Sequence, residues 1–232
     1  MKDYPSIISV GSHYAPKGKK CIAFKKYDGS NLRFTWGKKK GWHSFSHGKR
    51  KDDRETTSAP GFDRNDPLYG CSIDIFLNKY ASGMEQIMRK DKHFRSVEEV
   101  ICFCEFFGPY SFSGQHDPAH PALLIGGCKG SNEPYDLMMF DVNVHRKGFM
   151  EPRLFLNTFA GELAIPEVVY EGNLNASFVQ DVREGKYPVV EGVVCKGLDG
   201  PAPHGIWRVK IKTNAYLDEL KKRFAKDWEQ YV

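Results

Sequence analysis

The sequence predicts an α+β domain, and three features carry that expectation. Short stretches that alternate with period two, or run continuously apolar, recur at 21–26, 32–36, 42–46, 100–108, 137–144, 189–196 and 207–212. Helical periodicity marks 72–90 and the segment from Asn214. A turn at Gly37-Lys-Lys-Lys-Gly41 joins two of the strands antiparallel. At 232 residues the chain is long enough to bury a sizeable core. With no linker or repeat in view, we expect a single domain over 1–232, ending in a helix at about 214–230.

Residues 1–20 are polar, with a basic approach at Lys17-Gly-Lys-Lys20, and read as a loosely ordered lead-in. In Cys21–Lys26, alternation puts Ile22, Phe24 and Lys26 on one face, Cys21, Ala23 and Lys25 on the other, before a turn at Asp28-Gly29. An ammonium held against apolar neighbours loses hydration, its pKa falls, and more of it is the nucleophilic free amine. The plain structural alternative is a hairpin lysine in solvent. Leu32–Trp36 and Trp42–Ser46 form a hairpin with a basic tip, followed by a second cationic cluster at His47–Lys51. Both clusters suit either a solvated face or a phosphate surface. From 72 to 90, Ile73, Phe76, Leu77, Tyr80, Met84, Ile87 and Met88 make an apolar helical stripe, interrupted at Gly83.

The apolar run 100–108 holds Glu105 on the side of Ile101, Phe103 and Phe107. A carboxylate there needs a hydroxyl, a cation or a ligand, because an unpaired buried charge is costly. The loop 109–134 contains His116 and His120 at a metal-ligand spacing, but Pro118 and Pro121 break any helix that would align them, so no metal site is expected there. In 137–144, alternation places Met138, Phe140 and Val142 together, opposite Asp141 and Asn143. A strand at 166–172 precedes a helix capped by Asn175 and ended at Gly185. Glu191 interrupts the apolar strand 189–196, which ends at Lys196. In 207–212, Arg208, Lys210 and Lys212 share one face and Trp207, Val209 and Ile211 the other. Such a face is a platform for an anion such as phosphate, or else an edge strand whose lysines block aggregation. The closing helix presents Leu217, Leu220, Phe224 and Trp228 on one side.

Lys and Arg number 34 against 29 Asp and Glu, a formal charge of +5 that permits a polyanionic partner without requiring one. The six cysteines form no C-x-x-C pair, and Cys102 and Cys104 lie in an apolar run, so reduced core thiols in a cytoplasmic, intracellular setting are expected. No run of eighteen apolar residues occurs, and we expect a soluble chain with no membrane partner.

In order, KYDGSN at 26–31, EFFG at 105–108, MFDV at 139–142, EGVVCK at 191–196 and KIK at 210–212 resemble the motifs of the covalent nucleotidyltransferases: ATP-dependent RNA and DNA ligases and GTP-dependent capping enzymes. The pattern is most similar to RNA ligases of the phage and RNA-editing kind, through Asn31 and the short EFFG string. The resemblance implies a ligase-type nucleotidyltransferase domain, with antiparallel sheets forming a nucleotide cleft flanked by helices. It implies that Lys26 attacks the α-phosphate of ATP and carries AMP as a phosphoramidate. Glu105 would then bind the ribose and Phe140 would stack on adenine. Glu191 would bind Mg²⁺ or Mn²⁺, and Lys210 and Lys212 would hold the α-phosphate, further depressing the Lys26 pKa. Asp28 belongs to the same motif, Asn31 would orient the nucleic-acid end, and Arg50 is a candidate for contacting phosphate or the 3′ end. AMP would pass to a 5′-phosphate and a 3′-hydroxyl would displace it.

One departure matters. DNA ligases and capping enzymes of this type carry an OB-fold after the KxK strand, and many RNA ligases a helical C-terminal domain, whereas twenty residues follow Lys212. The expectation is therefore a nucleotidyltransferase domain without an OB-fold, acting alone or with a partner protein in place of the missing domain. ATP-dependent joining of RNA ends is the expected function, with nicked duplex ends as a related partner. The alternatives are a minimal ATP-dependent DNA nick ligase, a GTP-dependent guanylyltransferase and a non-catalytic nucleic-acid-binding module.

Overall fold

The computed structural model describes residues 4–5, 7–13, 15–48, 60–108, 135–199 and 205–231. The strands are β1 (Ile8–Ser9), β2 (Lys20–Lys26), β3 (Ser30–Gly37), β4 (Gly41–His47), β5 (Glu99–Phe107), β6 (Asp136–Val144), β7 (Gly148–Phe149), β8 (Val168–Asn173), β9 (Gly192–Gly197) and β10 (Arg208–Lys212). The α-helices are α1 (Gly70–Phe76), α2 (Ser82–Lys90), α3 (Pro152–Phe159), α4 (Ala176–Arg183) and α5 (Asn214–Phe224). They divide between two compact units, each with one five-stranded sheet, in a mixed α and β fold dominated by antiparallel pairing.

The first unit comprises Met1–Tyr4, Asp28–Met150 and Leu154–Ile165. Its sheet has the order β4-β3-β5-β6-β7, antiparallel throughout. Alternation along β3 and β5 sends Leu32, Phe34, Cys102, Cys104 and Phe106 into a core with Phe76, Tyr80, Met84, Phe155 and Phe159 of the helical layer. Phe34 stacks on Phe76 with ring centroids 4.0 Å apart. The expected break at Gly83 is not there. The irregularity is a π-helical turn at Leu77–Ala81, five residues between α1 and α2, and it includes the fully buried Tyr80. Its hydroxyl donates toward the carbonyls of Leu137 and Ala164, 2.9 Å from each, and accepts from the amide of Met139 at 3.2 Å. Gly83 marks a close approach rather than a break: a Cβ there would lie 2.6 Å from Leu163 Cδ2, so that side chain would have to turn aside.

The second unit comprises Pro5–Tyr27, Glu151–Arg153 and Pro166–Val232. Its sheet has the order β1-β10-β9-β2-β8. The lead-in is more ordered than its polarity predicts, because Ile8–Ser9 adds to β10 as a short parallel strand and Val10 and Ala15 are buried. Cys21, Ala23, Val193, Cys195, Val209 and Ile211 face the core of this unit, against Phe178 and Val182 of α4. Asn175 caps α4, accepting from the amide of Phe178 at 2.8 Å, and Gly185 follows with φ 73°. Helix α3, which the sequence reading left out, begins at Pro152, where a missing amide hydrogen is no loss.

Cys21, Cys102, Cys104 and Cys195 are free and buried, whereas Cys71 is disulfide-bonded, a departure from uniformly reduced thiols. Among the described residues no helix is long and apolar enough to cross a membrane.

Candidate active site

Strand register builds the centre of the second unit. Lys26 of β2 lies opposite Gly192 of β9, and Gly192 lies opposite Lys212 of β10, so the two lysines stand in one row across three strands. The next row is Phe24, Val194 and Lys210, and the third is Ile22, Lys196 and Arg208. All these side chains share the face opposite the apolar core. Glu191, one residue before β9, joins the first row: Lys26 Nζ donates to Oε2 at 2.9 Å, and Lys212 Nζ lies 3.3 Å from Oε1. The Glu191 side chain is 3% exposed, that of Lys212 8% and that of Lys26 20%. Each carboxylate oxygen thus has its own ammonium partner, which meets the requirement for compensating a buried charge.

Two features fix Glu191 in place. Gly192 has φ 149°, and a Cβ there would lie 1.9 Å from the carbonyl oxygen of Ile211, so only glycine lets β9 run this close to β10. Thr213 donates from its hydroxyl to the carbonyl of Val190 at 2.8 Å, and from its amide to the carbonyl of Glu191 at 3.0 Å. The same hydroxyl accepts from the amide of Tyr216 at 3.2 Å and caps α5. Thr213 was missed by the sequence reading. Its signal was a threonine directly before the last helical stripe, the ordinary position of a cap.

The lysine with a depressed pKa is Lys210. Burial lowers it first, then the charges of Lys212 and Lys26, with Glu191 opposing. Lys26 itself is held as one half of an ion pair, with a further contact to the Tyr27 carbonyl at 3.4 Å, so apolar neighbours are not its main environment. Lys25 lies on the other face, 3.5 Å from the exposed Glu167. Strand parity therefore separates the two neighbouring lysines as expected.

The remaining predicted residues lie in the first unit. Asn31 pairs with Glu105, and Glu105 with Met138, across β3, β5 and β6. Glu105 is half-buried between the buried Cys104 and Phe106, so the cost of its charge is less than its apolar run implied. Among the described residues the Asn31 side-chain oxygen is buried with no hydrogen-bond partner. Phe140 does not follow simple alternation. It is the extra residue of a β-bulge, since Cys104 pairs with Met139 and Phe103 with Asp141. The bulge reverses the parity beyond it, so Met138 and Val142 face opposite ways and Val142 joins the core. The Phe140 ring meets Tyr4 edge-on at 5.1 Å and lies 6.5 Å from Phe103. Asp28 is half-buried, and the Gly29 beside it presses on β5: a Cβ would lie 2.2 Å from the carbonyl oxygen of Phe106. Arg50, His116 and His120 lie outside the described residues.

In chemical terms the second unit offers three clustered ammonium groups around one carboxylate. That excess of positive charge suits a polyphosphate. Among the described residues no group of three or more His, Cys, Asp or Glu side chains would cage a metal alone. Glu191 fits the other mode, in which Mg²⁺ or Mn²⁺ is held by one carboxylate together with phosphate oxygens and water.

No protein-family model matches the chain, and no curated protein matches it. Solved structures do. A Naegleria gruberi RNA ligase mutant in its apo form gives a TM-score of 0.54 at 15% identity, covering 94% of this chain and 58% of that one. A protein assigned as an ATP-dependent DNA ligase from Aquifex aeolicus gives 0.57 at 14%, covering 100% and 57%. An archaeal ATP-dependent RNA ligase gives 0.54 at 14%, covering 97% and 52%. Another Naegleria gruberi RNA ligase mutant, at 0.54 and 17% over 94% and 58%, was solved with AMP and Mn. The chain spans a little over half the length of each, and what it shares with them is the fold of the ligase nucleotidyltransferases.

Proposed function

We propose that this chain is an ATP-dependent nucleotidyltransferase of the ligase class that joins RNA 5′-phosphate and 3′-hydroxyl ends through a lysine-AMP intermediate. The observation that carries the proposal is the row Lys26–Glu191–Lys212, with Lys210 one row away on the same face. In the first step Nζ of Lys26 forms a bond to the α-phosphorus of ATP, the bond from that phosphorus to its bridging oxygen breaks, and pyrophosphate leaves with the electron pair. Before attack the ammonium must lose a proton, and its 2.9 Å contact with Glu191 supplies an acceptor. Lys210 and Lys212 offset the charge that gathers on the phosphoryl oxygens. A divalent ion held by Glu191 would neutralise phosphate charge. Roles for the first unit follow from the motif resemblance: Glu105 on the ribose, Phe140 on the base, Asp28 and Asn31 toward the nucleic-acid end, with Arg50 as a further candidate. The motifs and the shared fold support this reading, as do the AMP and Mn named for one structure of that fold.

The test is covalent labelling. Protein stripped of bound AMP is incubated with α-labelled ATP or GTP and Mg²⁺ or Mn²⁺, denatured, and examined for retained label, then chased with nicked RNA, nicked DNA or single-stranded ends. Label from ATP that is lost in a Lys26→Ala variant is expected. Absence of label with either nucleotide overturns the enzyme assignment, and transfer to nicked DNA alone overturns the RNA assignment.

A further inference from the structure

The first unit carries a recess that the proposed chemistry does not use. It lies where the end of β3, the start of β4, helix α2 and the segment leading into β5 converge, with a volume of about 170 Å³. Trp36, Met88, Phe94, Val97 and Val100 form its apolar walls, and Lys38, Glu85 and Arg89 form its rim. Trp36 and Val100 are cross-strand partners, so β-sheet pairing holds one wall rigid. Trp36 is only half-buried although it borders the core cluster, leaving part of its indole surface open.

Size and composition narrow the occupant. An apolar cavity of about 150 Å³ takes benzene, so this slightly larger recess, open on one side, suits one planar ring system the size of a nucleobase rather than a large ligand. Its surroundings are basic. Segments 37–41 and 85–99 hold Lys38, Lys39, Lys40, Arg89, Lys90, Lys92 and Arg95 against Glu85, Asp91, Glu98 and Glu99, a surplus of three within a chain whose net charge is +5. The rim ion pairs, Lys38 with Glu98 at 3.3 Å and Arg89 with Glu85 at 3.5 Å, are solvent-exposed and hence weak, so both cations can turn toward an incoming anion. A recess of this size lined by a half-buried tryptophan, with Lys38 and Arg89 also in its lining to take phosphates, has the elements of a single-strand nucleic-acid site. Glu85 adds an acceptor for the amino group that adenine and cytosine carry and uracil lacks.

We propose that this recess binds one base of a single-stranded segment of nucleic acid, stacked on Trp36, with Lys38 and Arg89 on the flanking phosphates. The inference rests on the ligase reading only in expecting a nucleic-acid substrate. Binding of a fluorescent oligoadenylate and of an abasic strand with equal phosphate count separates stacking from charge. The parent should bind the oligoadenylate roughly tenfold more tightly than the abasic strand. Trp36→Leu should erase that difference while leaving abasic binding unchanged. Arg89→Glu, at a site 77% exposed where the fold is not at risk, should weaken both and flatten the salt dependence. Equal affinity for the two strands in the parent, or unaltered binding in both variants, overturns the proposal and leaves the recess to another occupant, such as an aromatic side chain of a partner protein. ATP labelling of Lys26 should persist in both variants. Loss of labelling in the parent with strand preference intact therefore refutes the ligase reading alone, and the converse refutes this site alone.

Discussion

The closest backbone approach at the site yields a sharp prediction. In Gly192→Ala the new Cβ would sit 1.9 Å from the Ile211 carbonyl oxygen and 2.8 Å from Lys212 Cα, against a practical lower limit of 3.0 Å. Strands β9 and β10 must part by about 1 Å, and both contacting atoms are backbone, so no side chain can swing away to relieve the clash. Overpacking costs about 1–3 kcal/mol, and the backbone strain of an L side chain at φ 149° adds about as much. Taking ~4 kcal/mol and about 2–4 °C per kcal/mol for a chain of this size, Tm should fall by roughly 8–16 °C. The same displacement separates Glu191 from Lys212 or Lys26, and a misplacement of about 1 Å can cost on the order of 100-fold in rate. Gly185→Ala is the control, because its φ is 73° and nothing among the described residues lies within 4 Å of the added Cβ. It should lose only ~1–2 kcal/mol and label normally. Thermal melts and initial rates of nucleotide labelling, run below the melting range of both variants, test the two effects separately. If Gly192→Ala melts no lower than Gly185→Ala and labels at the parent rate, the argument that this contact positions Glu191 is wrong.

Three further outcomes are expected. Lys26→Ala should abolish covalent labelling, whereas Lys25→Ala should retain it, since Lys25 pairs with the exposed Glu167 at 3.5 Å on the opposite face; labelling of both variants would refute the choice of nucleophile. Burial and the neighbouring Lys212 and Lys26 lower the Lys210 pKa below its ordinary 10.5, so between those two values the unfolded chain binds more protons than the folded one. Stability should therefore rise with pH across that alkaline window, the penalty being fully present below it, and Lys210→Met should remove that part of the rise; chemical unfolding curves of equal slope against pH would contradict this. Tyr80→Phe removes a buried hydroxyl that serves Leu137, Ala164 and Met139, at a cost of about 2 kcal/mol and roughly 4–8 °C in Tm, with labelling unaffected.

What the sequence displayed was parity. Along β2, β9 and β10 the side-chain period of two separated Lys26 from Lys25 and set Lys210 and Lys212 opposite Val209 and Ile211, and the pairing register then aligned them. Register itself was hidden, because nothing local states that Lys26 meets Gly192 rather than a residue two positions away. Parity also failed at Phe140, where one extra residue reversed the faces of β6, and bulges leave no compositional mark. Gly83 misled for a related reason. A glycine in a helical pattern signals either a break or a close contact, and only the distant Leu163 decides which. The short strand Ile8–Ser9 escaped notice because its partner is some 200 residues away, and two residues carry no periodicity. Of the ion pairs of Glu191 the sequence displayed only a carboxylate interrupting an apolar strand, since that can be seen locally and the identity of its cations cannot.

The sheet order of the second unit also sets a timetable. Strand β2 is flanked on both sides by strands of much later sequence, β8 and β9, the nearer beginning about 140 residues after Lys26. At a synthesis rate of about 5–20 residues per second, Cys21–Lys26 waits roughly 7–30 s for its first neighbour. Throughout that interval an apolar strand with both edges open is available to chaperones or to another nascent chain. The lysine at the heart of the proposed chemistry is thus made well before either strand that encloses it, so misfolding of this chain should begin at the strand that bears its nucleophile.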